Sequence, residues 1–91
     1  MPTFEWDPDK AASNPKKHRG VTFEDAIHVF DDDHVIDEVD PDPDEDRRRI
    51  IGMAADGRIL VVVYTEPQED RIRIISARKA TKHEAEAYGQ G

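Results

Sequence analysis

Arg47-Arg48-Arg49-Ile50-Ile51-Gly52-Met53-Ala54-Ala55-Asp56-Gly57-Arg58-Ile59-Leu60-Val61-Val62-Val63-Tyr64-Thr65 is the stretch that decides the fold. Asp56-Gly57 is a strong hairpin signal, because glycine accepts the positive φ that a two-residue turn demands. On either side lie strand-like segments, 47–54 and 58–65. Residues 59–63 are apolar at every position, which marks a central strand covered on both faces. A longer turn at 67–70 leads to a third segment, 71–77, where Ile72 and Ile74 alternate with Arg71 and Arg73. Upstream, residues 35–39 read as a further strand. Residues 40–46, with two prolines and five acids, read as a mobile acidic loop.

Working toward the N-terminus, helical signals take over. Residues 4–6 form a short opening strand. Asp7-Pro8 has the pattern of an N-cap followed by a first helical residue. Asn14-Pro15 repeats that signature, and a proline inside a helix costs about 3 kcal/mol, so a kink or restart is expected there. The segment closes at His18-Arg19-Gly20. Thr22 caps a second helix with Asp25 as its reciprocal partner. Phe23, Ala26, Ile27 and Phe30 fall at helical spacing and face inward. Asp31-Asp32-Asp33 ends this helix, since acids oppose the dipole at a C-terminus. A last helix starts at Thr81, pairs it with Glu84, runs through Tyr88 and stops at Gly89. The fold class expected is α+β: two N-terminal helices, a four-stranded antiparallel meander plus the short N-terminal strand, and a C-terminal helix. The helices are expected on one face of the sheet, in a single domain over residues 1–91.

The bulk properties narrow the function classes. There is no cysteine, which excludes disulfides and thiolate metal sites. The longest apolar run, 59–64, is far short of a membrane span, and the N-terminus lacks the features of a secretory signal. A cytoplasmic protein with no membrane association is expected. The net charge of −8 argues against a nucleic-acid enzyme at first sight. It is unevenly spread, however. Residues 1–46 hold 15 acids and 4 bases, a balance of −11, and residues 47–91 hold 6 acids and 9 bases, a balance of +3. The second half can therefore present a basic surface.

Strand alternation sends Arg71 and Arg73 to the face opposite their isoleucines and puts Arg47 and Arg49 on a common face, with Arg78 just beyond. Guanidinium forks suit phosphate because they bind two oxygens at once. The competing reading is that these arginines pair with Asp37, Glu38, Asp40 and the acidic loop. His18 stands beside Lys16, Lys17 and Arg19, and imidazole is the side chain best suited to proton transfer at neutral pH. The plain alternative is an exposed histidine complementing the helix dipole. Lys10, Asn14 and Lys17 share a helix face if Pro15 leaves the helix intact. His28, Asp31, Asp32 and His34 are close in sequence but match no metal signature. Phosphate loops, nucleophile elbows and zinc spacings do not occur.

Taken together, Phe4-Glu5-Trp6-Asp7-Pro8, Lys10, Asn14, Lys17-His18 and 20–26 resemble the opening of BrnT proteins. The resemblance continues through Arg47, Ile51-Gly52-Met53, Asp56-Gly57-Arg58, 60–65, 73–78, Ala80-Thr81, Glu84 and Tyr88. It implies a RelE-like fold and ribonuclease toxicity without a metal or other cofactor. It also implies neutralisation by a BrnA-type antitoxin, with DNA reached only through that partner. In such enzymes the RNA 2′-hydroxyl attacks its own phosphate. The resemblance implies Arg47 and Arg78 for phosphate charge and His18 or Lys10 for proton transfer. Arg73, Arg49 and Tyr88 are expected substrate contacts. The central expectation is that Arg47 and Arg78 meet in one pocket. Two other readings stand beside this one: a toxin fold that only binds its antitoxin, which the acidity favours, and an unrelated acidic or metal-binding protein.

Overall fold

The computed structural model describes residues 2–39 and 46–89. The elements in chain order are β1 (Thr3–Glu5), α1 (Pro8–Lys17), α2 (Phe23–Val29), β2 (Ile36–Val39), β3 (Arg48–Met53), β4 (Ile59–Gln68), β5 (Arg71–Lys79) and α3 (Lys82–Gly89). The strands form one sheet in the order β1-β5-β4-β3-β2. All pairings are antiparallel except β1 with β5, which is parallel. The α+β class and three helices are thus as the sequence suggests. The acidic loop expected over 40–46 lies, save for Asp46, outside the described residues. Among the described residues no helix is long and apolar enough to cross a membrane.

β4 is the centre of the sheet, and Leu60, Val61 and Val62 are fully buried. Leu60, Val62 and Tyr64 point into the main core with Ile50, Ile72, Ile74 and Ala77, under Val21, Phe23, Ala26 and Val29. Phe30 bridges Phe4 and Tyr64 with ring centroids 5.3 and 5.0 Å away. Ile51 and Val61 are buried on the opposite face, outside that cluster. There α3 lies over β3: His83, Glu84 and Ala87 face Ile36, Glu38, Arg49 and Ile51 across a cavity of about 320 Å³. This corrects the expectation that all helices share one face. The continuous apolar run of β4 needs cover on both sides, and α3 supplies the second.

Pro15 does not restart α1, which runs unbroken from Pro8 to Lys17. Asn14 is not a cap but a buried mid-helix side chain. Its Nδ2 donates to the carbonyls of Val21 (2.8 Å) and Ala77 (2.7 Å), and its Oδ1 accepts from the Ala77 amide at 3.3 Å. β1 covers the outer edge of β5 only along Arg71 to Arg73. Farther on, Asn14 takes the place of a neighbouring strand for Ala77. Its three hydrogen bonds offset the one that Pro15 cannot donate.

A second irregularity directs Arg78. Opposite β4, the register shifts between Val63 and Tyr64, so Val63 pairs with Ser76 but Tyr64 with Ile74. Ile75 is the extra residue of a bulge. Strict alternation from Ile72 and Ile74 would turn Arg78 into the main core. The bulge resets the period, so that Ala77 faces the core and Arg78 the α3 side.

Candidate functional site

α1 ends against the far end of β5, because Asn14 ties it to Ala77. The helix closes in a Schellman-type turn, with the Gly20 amide donating to the Pro15 carbonyl at 2.7 Å. Arg19 and Gly20 both adopt positive φ, +52° and +85°. This arrangement sets Lys17, His18 and Arg19 beside Arg78, Lys79 and Thr81 around a cavity of about 460 Å³. Among the described residues no carboxylate lines it, on a chain whose net charge is −8. The side chains of Lys17, Arg19 and Lys79 make no hydrogen bond or ion pair among the described residues.

Arg78 is differently placed. Its two amino groups donate to the two oxygens of Glu84 at 2.7 and 2.9 Å. Glu84 also accepts from the Thr81 amide at 2.8 Å, and its own amide donates to Thr81 Oγ1 at 3.2 Å. This capping box starts α3 and fixes the carboxylate over Arg78. The guanidinium, helped by the Thr81 amide and against the cost of burial, pulls the Glu84 carboxyl down to about 2.

His18 and Arg78 therefore share the cavity, but the other expected residues do not join them. Lys10 is exposed in the first turn of α1, about 12 Å along the axis from His18. Arg47 borders a separate cavity with Val39, Asp46, Arg48 and Glu66. Through the strand pairs, Arg78 aligns with Val61 and Ile51. Arg47 then lies four residues and two strands away, roughly 16 Å from Arg78 by strand spacing. The expectation of one pocket holding both arginines is not met. Arg49 donates to Glu38 at 2.6 and 2.9 Å, its partner in register. Arg73 donates to Glu5 at 2.9 Å, again a register partner. The competing reading of arginine–acid pairing thus describes these two, as it does Arg48 with Asp37 at 3.1 Å. Tyr88 lies away from the cavity and donates a short hydrogen bond to Asp32. Burial pushes the Asp32 carboxyl up, but bonds from Tyr88 and from the His34 and Met53 amides outweigh it and hold it low.

Tyr64 is no candidate acid. Burial, with Asp37 beside it, lifts its hydroxyl to about 12. His28, Asp31, Asp32 and His34 border a cavity with Met53 and Tyr88, yet among the described residues no three acidic or histidine side chains converge to hold a metal. Sequence reasoning passed over Lys17, Arg19 and Lys79 as site residues. The run 16–19 was a visible basic cluster around His18, whereas Lys79 carried no signal, because its neighbours come from a helix some sixty residues upstream.

Comparison with known proteins agrees with this architecture. The family model described as "Ribonuclease toxin, BrnT, of type II toxin-antitoxin system" matches residues 6–84. The crystal structure of the Brucella abortus ribonuclease toxin BrnT superposes with a TM-score of 0.66. It covers 90% of this chain and 100% of that one at 24% identity, a likeness of fold. No curated protein sequence matches. With nearly its whole length matched by that model, the chain belongs to the BrnT family of ribonuclease toxins of type II toxin–antitoxin systems.

Proposed function

We propose that the chain, acting as one RelE-like domain in the cytoplasm, cleaves RNA in the cavity between the end of α1 and the end of β5. In this reading a BrnA-type antitoxin neutralises it and links it to DNA. The observation that carries the proposal is the cavity itself: a histidine among lysines and arginines, with no carboxylate in its lining among the described residues. That is the environment an anionic backbone needs. A ribose 2′-hydroxyl attacks the adjacent phosphorus, a 2′,3′-cyclic phosphate forms, and the 5′-oxygen leaves with a proton. His18 moves a proton in this step, and the surrounding cations stabilise the charge that builds on the non-bridging oxygens. Such a step uses the substrate's own nucleophile and draws on no metal. Arg78 borders the reacting phosphate. Lys10 and Arg47, lying outside the cavity, serve flanking phosphates of the same strand. Arg49, Arg73 and Tyr88, held by carboxylates, brace the fold rather than grip substrate.

One observation favours a second reading. Glu84 occupies both amino groups of Arg78, as in a toxin fold that binds an antitoxin and cleaves nothing. Purified protein incubated with RNA in chelator separates the two. The first reading expects products ending in 2′,3′-cyclic phosphate and 5′-hydroxyl, and a loss of about 10²-fold or more in His18→Ala. RNA left intact by a protein that still binds its antitoxin makes the second reading correct. Cleavage that appears only with added divalent ions removes the metal-free mechanism.

A further inference from the structure

Arg19 holds a backbone conformation that glycine adopts freely and other residues rarely do. It follows the C-cap His18 at φ +52°, the position where helices closing in this way ordinarily carry glycine. Nothing in the fold is gained from its side chain. The guanidinium makes no hydrogen bond or ion pair among the described residues, and the residue is exposed. Complementing the α1 dipole does not require it, because Lys16 and Lys17 already sit in the last turn. What the position does provide is a place on the cavity wall beside His18. Residues held in unfavourable backbone conformations concentrate at functional sites. Arg78, the other arginine of the wall, has its charge balanced by Glu84.

We infer that Arg19 is the substrate-binding arginine of this cavity, its guanidinium taking the non-bridging oxygens of the RNA phosphate, with Lys17 and Lys79 alongside. The inference rests on the RNA-cleaving reading above and assigns the phosphate grip within it. Arg78, fixed by Glu84, forms a wall of the site rather than its main cation. A planar fork on an otherwise unengaged side chain can pair with a phosphate without first breaking an ion pair.

The test is Arg19→Gly in the full chain, with Arg19→Lys beside it. Binding is measured with a short 2′-O-methyl oligoribonucleotide, which cannot be cleaved, across a range of salt concentrations. Cleavage is measured with the unmodified oligonucleotide. Arg19→Gly is expected to raise Tm by roughly 2–8 °C as the backbone relaxes. It should weaken RNA binding about 5- to 150-fold. It should also reduce the slope of log K against log salt by about 0.7. Arg19→Lys should keep that slope while losing part of the affinity. If wild type cleaves RNA and Arg19→Gly binds and cleaves equally well, this inference is overturned while the RNA reading survives. A fall in both Tm and RNA binding would make Arg19 a structural cap, again overturning it. A wild type that neither binds nor cleaves RNA overturns both.

Discussion

Asn14 shows how one side chain can decide which residues line a cavity. Next to Pro15 it looks in sequence like the start of a helix, because the same dipeptide serves that purpose at Asp7-Pro8. The structure uses it in the middle of a helix, where its amide satisfies both backbone groups of Ala77 and the Val21 carbonyl. That clamp brings His18 to Arg78. Replacing Asn14 by Ala strands these buried groups without partners, at about 1–3 kcal/mol for each group left unsatisfied. We expect Asn14→Ala to lose about 2–4 kcal/mol, read as a fall in Tm of roughly 8–30 °C. Asn14→Asp keeps the acceptor for the Ala77 amide but sets a carboxylate against two carbonyl oxygens, so it should not restore stability. If thermal melts show Asn14→Ala within about 0.5 kcal/mol of wild type, the clamp is not what joins α1 to β5. The local cap signature was legible; its use was not, since the partner of Asn14 lies 63 residues away.

At the scale of elements, α3 is lightly attached. It has no fully buried residue. Among the described residues, side-chain hydrogen bonds tie it to the rest at Glu84, on Arg78, and at Tyr88, on Asp32. The capping box that starts it could be read from Thr81 and Glu84, but the face of the sheet it covers could not. The first tie carries a pH signature. Glu84 has a folded-state pKa of about 2 against an ordinary 4.5. A depressed carboxylate pKa contributes stability that is present above pH 4.5 and is lost as pH falls toward 2. With the pair open to solvent on one side, the contribution is on the order of 1–2 kcal/mol. Denaturant unfolding of wild type and Glu84→Gln should therefore differ at pH 6, and the difference should shrink steadily below pH 4.5. A gap that stays constant down to pH 3 would show that the Arg78–Glu84 pair is not the source. Amide exchange along 82–89 should rise in the variant while β4 stays protected.

For the molecule as a whole, β4 is where fold and charge meet. It is buried on both faces, and every other strand is paired to it directly or through one neighbour. Leu60→Ala is expected to cost about 2–5 kcal/mol, much of what a chain of this size possesses. A urea midpoint scarcely shifted from wild type would contradict that. The sequence by itself determined the kind and order of the elements, the α+β class, the family likeness and the separation of acidic from basic halves. Those are local properties, written in periodicity, caps, turns and composition. Tertiary structure alone decided which cations share a cavity. A one-residue bulge at Ile75 turns Arg78 away from the core, the strand registers commit Arg49 and Arg73 to carboxylates, and an asparagine at the β5 edge delivers Lys17, His18 and Arg19. Side-chain neighbours across a sheet depend on register, and register depends on contacts between residues far apart in the chain. No local pattern encodes that.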